Sequence, residues 1–391
     1  MARLGDLFLH IRNGANIKQG LDNTGYPITR IETISNRVVN REKMGYAGIT
    51  DVNKYSDFVL QDGDILMSHI NSEIHLGKVA LYEKEDDEII IHGMNLLSLR
   101  PNKDLITSKY AFYYLSSPSF LRQIPNITKK SVNQASFTVS ALKELVFPIT
   151  SIEEQKKITF DLDKVNDLIS LRKQQLSKLD ELVKSRFIEL FGDPVTNEKR
   201  WPRLTLGDIC DIGSSKRVFE NDYVPQGVPF FRTKEIVELS KGNTISTELF
   251  ITEEHFSELK SSYGAPKKDD LLISAVGTIG TIWIVSGDFE FYFKDGNLIQ
   301  IKASPNFNSI FMKYLLDGLI ANYKKQMSTG TAYSALTIAG LKKMLVYDIP
   351  LSLQQQFAAF VEHTDKSKLE IQKSLEKLET LKKALMQKYF G

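Results

Sequence analysis

Few side chains in this sequence are spaced for chemistry. The six histidines are His10, His69, His75, His92, His255 and His363. None stands in a His-Glu-x-x-His spacing, which would set two imidazoles on one helical face around zinc. His69 and His75 could meet only across a loop. Glu258-Leu259-Lys260 has the Glu-x-Lys spacing of a nuclease, but two residues on a helical stretch say little alone. Gly277-Thr278-Ile279-Gly280 could cradle a phosphate, and reads more simply as a strand-end turn that needs glycine's backbone freedom. The single cysteine, Cys210, reads as a small buried hydrophobe. There is no Gly-x-x-x-x-Gly-Lys-Ser/Thr loop for ATP phosphates, and no Asn/Asp-Pro-Pro-aromatic segment to hold a flipped adenine. Catalysis and metal binding therefore find no site, and no cofactor is expected in this chain.

Binding has more to work with. Lys, Arg, small hydroxyls and backbone N–H groups hold nucleic-acid phosphates, and Arg, Lys, Asn and Gln read base edges. One stretch offers Arg12, Asn16 and Lys18, and another Arg37, Arg41 and Lys43. Lys129, Lys130 and Asn133 follow. Further along come Lys216 and Arg217, Arg232 and Lys234, Lys267, then Lys324, Lys325, Thr331 and Tyr333. Each cluster alone is an ordinary solvated surface. Their recurrence at matching places in two halves of the chain points to double-stranded DNA.

Across 391 residues the formal net charge is only +2, so nucleic acid must meet local patches rather than a whole-protein field. One cysteine leaves no internal disulfide framework and fits a reducing compartment. Met1 to His10 carries no apolar leader core, and no run approaches the ~18 apolar residues of a membrane span. A cytoplasmic protein with no membrane contact is expected.

Two long amphipathic runs must position these clusters. Leu162, Val165, Ile169, Leu176, Leu179, Val183 and Leu190 step by helical intervals, as do Ile371, Leu375, Leu378, Leu381 and Leu385. Ser151 with Glu154 has capping-box spacing, and Gly192 before Pro194 is a stop signal. Forty residues make a rod of about 60 Å. Each stripe needs a partner, and the other helix, packed antiparallel as a coiled coil, is the nearest one. Arg172 and Arg186 fall at seam-like positions, so the register is imperfect.

The chain also repeats itself. Leu176, Leu179, Leu182 and Phe191 recur 199 residues later as Leu375, Leu378, Leu381 and Phe390. Leu4-Gly5-Asp6 is answered by Leu206-Gly207-Asp208, Asp64 and Ser68 by Asp270 and Ser274, and Gly77 by Gly280. Shared residues are mostly apolar, Gly, Asp or Pro, while the loops at 14–25 and 36–48 do not resemble 213–227 and 240–252. Within the first half, strands are expected at Asp64–Ser68, Lys78–Tyr82, Glu88–Ile91 and Leu96–Leu99, and a buried helix at Ser108–Leu115. The expected fold is α+β: two similar mixed α/β domains, residues 1–150 and 193–350, joined and separated by two long antiparallel helices, 151–192 and 351–391, as a pseudo-two-fold internal repeat.

This order of parts resembles the specificity subunits of Type I restriction–modification systems. The resemblance rests on the Leu-Gly-Asp starts and on the paired strand–Gly segments, Leu66-Met67-Ser68 to Gly77 and Leu272-Ile273-Ser274 to Gly280. It rests also on the helix entries Leu145-Val146-Phe147-Pro148 through Gln155 and Leu345-Val346-Tyr347 through Gln354, and on the close Glu189-Leu190-Phe191-Gly192-Asp193-Pro194. It implies two target recognition domains, each reading one part of a split DNA sequence. The helices would set the gap and dock methyltransferase subunits, two of them. Those partners would use S-adenosylmethionine, restriction subunits would use ATP and Mg²⁺, and this chain would catalyse nothing. The alternatives are a coiled-coil scaffold for protein partners and a stand-alone DNA-modifying enzyme.

Overall fold

A computed structural model describes residues 1–17, 20, 24–131, 134–327 and 335–391. The chain divides into two compact units, residues 1–173 with 373–391, and residues 174–372. Each unit therefore takes half of each long helix, where the sequence reading had set the helices apart as segments of their own.

Each unit is built on a four-stranded antiparallel sheet. In the first the order is Phe8–Asn13, Leu96–Pro101, Ile65–Ser68, Val79–Leu81. In the second it is Ile212–Gly213, Leu298–Ile301, Leu271–Ser274, Ile282–Ile284. Both follow chain order first, fourth, second, third.

The central strands are apolar because both faces are covered. Successive side chains alternate across a strand. Ile65, Met67, Leu97 and Leu99 point into a core with Leu4, Tyr110 and Phe147. Leu66, Ala80 and Leu96 point into another with Ile34 and Tyr82. The second unit repeats the division: Leu271, Ile273, Ile299 and Ile301 join Leu206 and Phe311, while Leu272 and Leu298 join Trp283 and Phe291.

The Leu-Gly-Asp starts now have a cause. Leu4 N–H donates to Leu145 O and Leu206 N–H to Met344 O, each at 2.8 Å. A Cβ on Gly5 would lie 2.9 Å from Lys143 Cβ, and one on Gly207 would lie 2.9 Å from Lys342 Cβ. The turn presses on a short helix in both units, and only glycine leaves room. Asp64 and Asp270 are both buried, with different partners. Asp64 takes the Arg100 guanidinium at 2.8 and 2.7 Å; Asp270 takes Gln300 Nε2 at 2.6 Å and the Ala303 N–H at 2.8 Å.

The helix Ser108–Leu115 forms as expected, and three of the four expected first-half strands form. Glu88–Ile91 does not. Ile91 makes only isolated bridges, to Ile28 and Val59. Ile90 and Ile91 face different small cores, so the segment is buried without a ladder to extend.

The long helices span Ile152–Phe191 and Leu351–Phe390. Ser151 Oγ accepts from the Glu154 N–H at 3.2 Å, and Gly192 ends the first helix at φ +79°. In the first unit the early part of one helix lies antiparallel to the late part of the other: Asp161 accepts from Tyr389 Oη at 2.7 Å, Arg172 Nε donates to Ser374 Oγ at 3.2 Å, and Lys173 meets Glu379 at 3.3 Å. The second unit mirrors this, with Asp180 on Lys368 at 2.6 Å and Phe187 edge-on to Phe357.

Of the expected seam residues, Leu162, Val165, Ile169, Val183 and Leu375 are buried, Leu162 and Val183 within the cores of their units. Leu176, Leu179, Leu190, Ile371, Leu378 and Leu385 are half-buried. Leu381 is not a seam residue: it is 45 % exposed. Two steps of three from Leu375 turn it about 120° off the stripe, whereas a three then a four returns to the stripe. That step falls on Lys382, half-buried beside Arg37 and Lys173, and burial holds its ammonium pKa below the usual lysine value.

A glutamine fastens each helix start. Gln155 Oε1 accepts from the Thr107 N–H at 2.8 Å, and its Nε2 donates to Leu105 O and Thr150 O at 3.0 and 2.9 Å. Gln354 Oε1 accepts from the Asn308 N–H at 2.9 Å, and its Nε2 donates to Ile349 O at 2.7 Å. Both are 0 % exposed. Removing a buried partner leaves backbone groups unsatisfied, at about 1–3 kcal/mol each. Gln155→Leu is therefore expected to lower unfolding free energy by about 3 kcal/mol or more, read from urea midpoints. A midpoint equal to wild type would mean that the amide carries no such load.

Candidate nucleic-acid interface

The topology sorts the basic clusters by the end of the sheet on which they lie. Strand Ile212–Gly213 runs parallel to Leu271–Ser274, because both pair antiparallel with Leu298–Ile301. The loop that begins at Ser214 therefore leaves from the end bearing Ser274 and Leu298. The hairpin 275–281 turns at this same end. So does its counterpart 69–78 in the first unit, where Lys129–Lys130 belongs to a small sheet with Ala135–Ser136 and Ile70–Asn71. Lys324 reaches the second hairpin, its Nζ 3.0 Å from Ile279 O. Lys267 lies at the opposite end, where its N–H donates to Asp270 just before the strand. Arg41 is likewise at the opposite end of the first sheet, beside Glu83 O just past the strand that ends at Leu81.

Chemistry sorts them again. Arg41 is held by Glu88 through Nε at 2.9 Å and Nη2 at 2.6 Å, and by Glu85 at 2.8 Å. The Arg41 guanidinium draws the Glu88 carboxyl down to about 2. Arg232 is gripped by Glu235 at 2.9 Å and Glu248 at 3.0 Å, and Lys234 shares Glu248 at 3.1 Å. Arg41 and Arg232 are neutralised while partly buried, and Lys234 is neutralised at the surface. Arg37 has left-handed backbone at φ +64°, and its Nη1 donates to Ser116 O at 3.1 Å, so it positions its loop.

Other side chains keep their charge outward. Lys129 is exposed, and Lys130 is exposed with Glu73 at 2.9 Å. Lys43 and Asn16 are exposed. Arg12 lies over the Phe58 ring at 5.1 Å. The loop carrying Lys216 and Arg217 is rigid: Ser214 Oγ donates to Leu298 O at 2.9 Å, Ser215 Oγ to Phe293 O at 2.6 Å, and the Lys216 N–H to Tyr292 Oη at 2.9 Å. Lys216 Nζ sits 5.3 Å over Tyr263, and Arg217 pairs with Asp295 at 3.1 Å. Lys325 lies in the last turn of the helix Ser309–Met327. Lys18, Asn133, Thr331 and Tyr333 lie outside the described residues.

The residues weighed for catalysis have other employment. Lys260 pairs with Glu290, and Leu259 between it and Glu258 is buried. His69 packs on Phe137, whereas His75 Nδ1 faces Lys78 Nζ at 2.7 Å. Cys210 is buried, which pushes its thiol up to about 11. Among the described residues no three or more His, Cys, Asp or Glu side chains converge as a metal site.

Set beside known proteins, the two halves match the family described as the Type I restriction modification DNA specificity domain, once over residues 1–181 and again over 198–383. The chain belongs to this family of specificity subunits. It is 31 % identical to a protein of Methanocaldococcus jannaschii provisionally named the type I restriction enzyme MjaX specificity subunit, over 98 % of this chain and 90 % of that one. It is 26 % identical to a Haemophilus influenzae protein, provisionally named the specificity subunit S.HindORF215P, over 66 % and 65 % of the two. The fold is that of the Mycoplasma genitalium S subunit, at 18 % identity, a TM-score of 0.59, and coverage of 100 % of this chain and 95 % of that one. No helix among the described residues is long and apolar enough to cross a membrane.

The specificity chain's first unit also buries imidazoles that sequence spacing did not mark. Burial lowers His69 to about 4 and His92 to about 3. It also lowers His10 to about 4, with Arg12 and Arg100 adding to the effect. All three folded values lie below the unfolded value near 6.5, so the unfolded chain binds more protons in this range. Their contribution is complete above about pH 6.5 and is lost as pH falls toward 4. The urea midpoint is expected to drop between pH 7 and 4.5. Replacing the ring packed on Phe137, His69→Phe, should flatten that drop, and an unchanged slope in this variant would count against the burial argument.

Proposed function

We propose that this chain is the DNA-reading, non-catalytic subunit of a Type I restriction–modification complex, each unit reading one part of a split target. The paired helices set the gap between the parts and offer a docking surface to methyltransferase subunits. The observation that carries this reading is the duplication: one sheet order, one helix entry and one glycine turn occur twice, with unlike loops on the same end of each sheet. Shared frames keep the readers in register; unlike loops read unlike bases. Family membership supports the division of labour, with S-adenosylmethionine chemistry on adenine in the methyltransferase subunits, and ATP and Mg²⁺ used by restriction subunits.

On this reading the outward cations hold phosphates and the neutralised ones do not. In the complex, Lys129→Ala and Lys216→Ala should each reduce the slope of log affinity against log salt by about one. Arg41→Ala and Arg232→Ala should lower thermal stability and leave that slope near wild type. Equal slopes across all four variants would remove the distinction.

The helices are tested separately. Adding one heptad to each long helix at paired positions keeps the seam and moves the units apart along it. Methylation sites mapped genome-wide should then show both half-sites unchanged with a longer gap. Altered half-sites with an unchanged gap would exclude the helices as the spacer.

A further inference from the structure

The hairpin between the second and third strands of each sheet is a fixed frame with an interchangeable tip. In the first unit the Ser68 N–H donates to Lys78 O at 2.9 Å and the Gly77 N–H to Ser68 O at 2.8 Å. In the second, the Ser274 N–H donates to Thr281 O at 3.0 Å and the Gly280 N–H to Ser274 O at 2.8 Å. Gly77 and Gly280 are left-handed, at φ +70° and +82°. A Cβ there would sit 2.8 Å from Ile124 Cγ1 or 2.5 Å from Ile320 Cγ2. Glycine thus clamps the hairpin base against a neighbouring isoleucine in both units.

What the clamp holds differs. The first tip is the eight residues 69–76, the second the five residues 275–279. Each puts a β-branched apolar side chain into solvent: Ile74 is 78 % exposed and Val276 is 46 % exposed. Each has a lysine alongside. Lys130 is paired to Glu73 beside the first tip, and Lys324 is bonded to Ile279 O in the second. An apolar point on a hairpin clamped at its base suits the major groove, where the thymine methyl is the one apolar feature on a base edge. A wandering loop would lose the discrimination to conformational entropy; a clamped one keeps it.

We infer that these two tips are specificity-determining elements of their respective half-sites, with Ile74 and Val276 reading thymine methyl groups. The inference rests on the reading of a split target given above and adds which residues do it. Neither residue carries the polar side chain by which base-reading positions are recognised in a sequence. The signal lay in a β-branched apolar residue within the short stretch between strand and glycine, at Ile74 and at Val276.

The test maps methylated sites in cells that express the chain with its methyltransferase partner. Ile74→Ser is expected to weaken preference at one thymine-bearing position of one half-site by about five- to tenfold, within the usual cost of a single mismatch. Val276→Ser should do the same in the other half-site. The gap and the untouched half should not change, and Ile74→Val, which keeps the branched methyl groups, should keep the wild-type motif. Because both side chains are exposed, each variant should melt with wild type. An unchanged motif in both serine variants overturns the inference, as does one serine substitution that alters both halves or abolishes methylation in a normally folded complex. A wild-type motif in one uninterrupted block would instead overturn the split-target reading, and a serine variant that still changed one base of that block would leave the tip's role standing.

Discussion

A helix of forty residues with a single apolar stripe cannot leave that stripe in water. Here each long helix begins in one unit and ends in the other, and residues of its stripe are buried in the core of each. Both termini are held by more than the stripe. A buried glutamine ties the start to the sheet's connecting loop. An aromatic closes the end: Phe390 sits 5.4 Å from Tyr110, and Phe191 sits 4.9 Å from Phe311. The helix is therefore part of each unit's core. Neither unit can complete its hydrophobic cluster without residues from both long helices, and loop variation has to take place on a frame whose covering is already settled.

That constraint explains which residues the halves share. Shared positions are those where geometry permits only one chemistry: a glycine against a lysine Cβ, a carboxylate or amide under a strand end, an aromatic at a helix terminus. Where geometry permits alternatives, the halves differ while meeting the same need. Asp64 is neutralised by Arg100, and Asp270 is satisfied by Gln300 and backbone N–H. A buried carboxylate is tolerated when its oxygens are bonded, whichever donors supply the bonds.

Much of the fold was legible because it is periodic. Helix spans, the repeat and most of the central strands follow from spacing of apolar residues and from turn residues between them. Three things were not legible, each for a tertiary reason. Glu88–Ile91 has strand composition, but its isoleucines are divided between two small cores, so burial came without pairing. Leu381 is a leucine at a plausible interval, yet the seam phase depends on the partner helix and selects Lys382. The basic clusters look alike in sequence, but the carboxylate that cancels Arg41 comes from 47 residues away. Local composition cannot distinguish a cation facing solvent from one already matched across a loop.

The matching of charges bears on how a chain of net charge +2 engages a polyanion. If all fifty Lys and Arg side chains acted alike, forty-eight carboxylates would cancel them, and no surface would attract DNA. The structure instead confines cancellation. Arg41, Arg232 and Lys234 spend their charge on stabilising loops, and Lys368 spends its charge on the helix pair. Lys129 and Lys216 lie at the sheet end where the strand–Gly hairpin of each unit turns. Coulomb attraction beyond a Debye length of about 8 Å is screened at physiological salt, so what DNA meets there is this local remainder rather than the sum. On the proposed reading a modest number of outward cations suits a subunit that selects the sequence while its partners contribute the rest of the grip. On that reading specificity depends less on how much charge the chain carries than on how a few unlike tips are held.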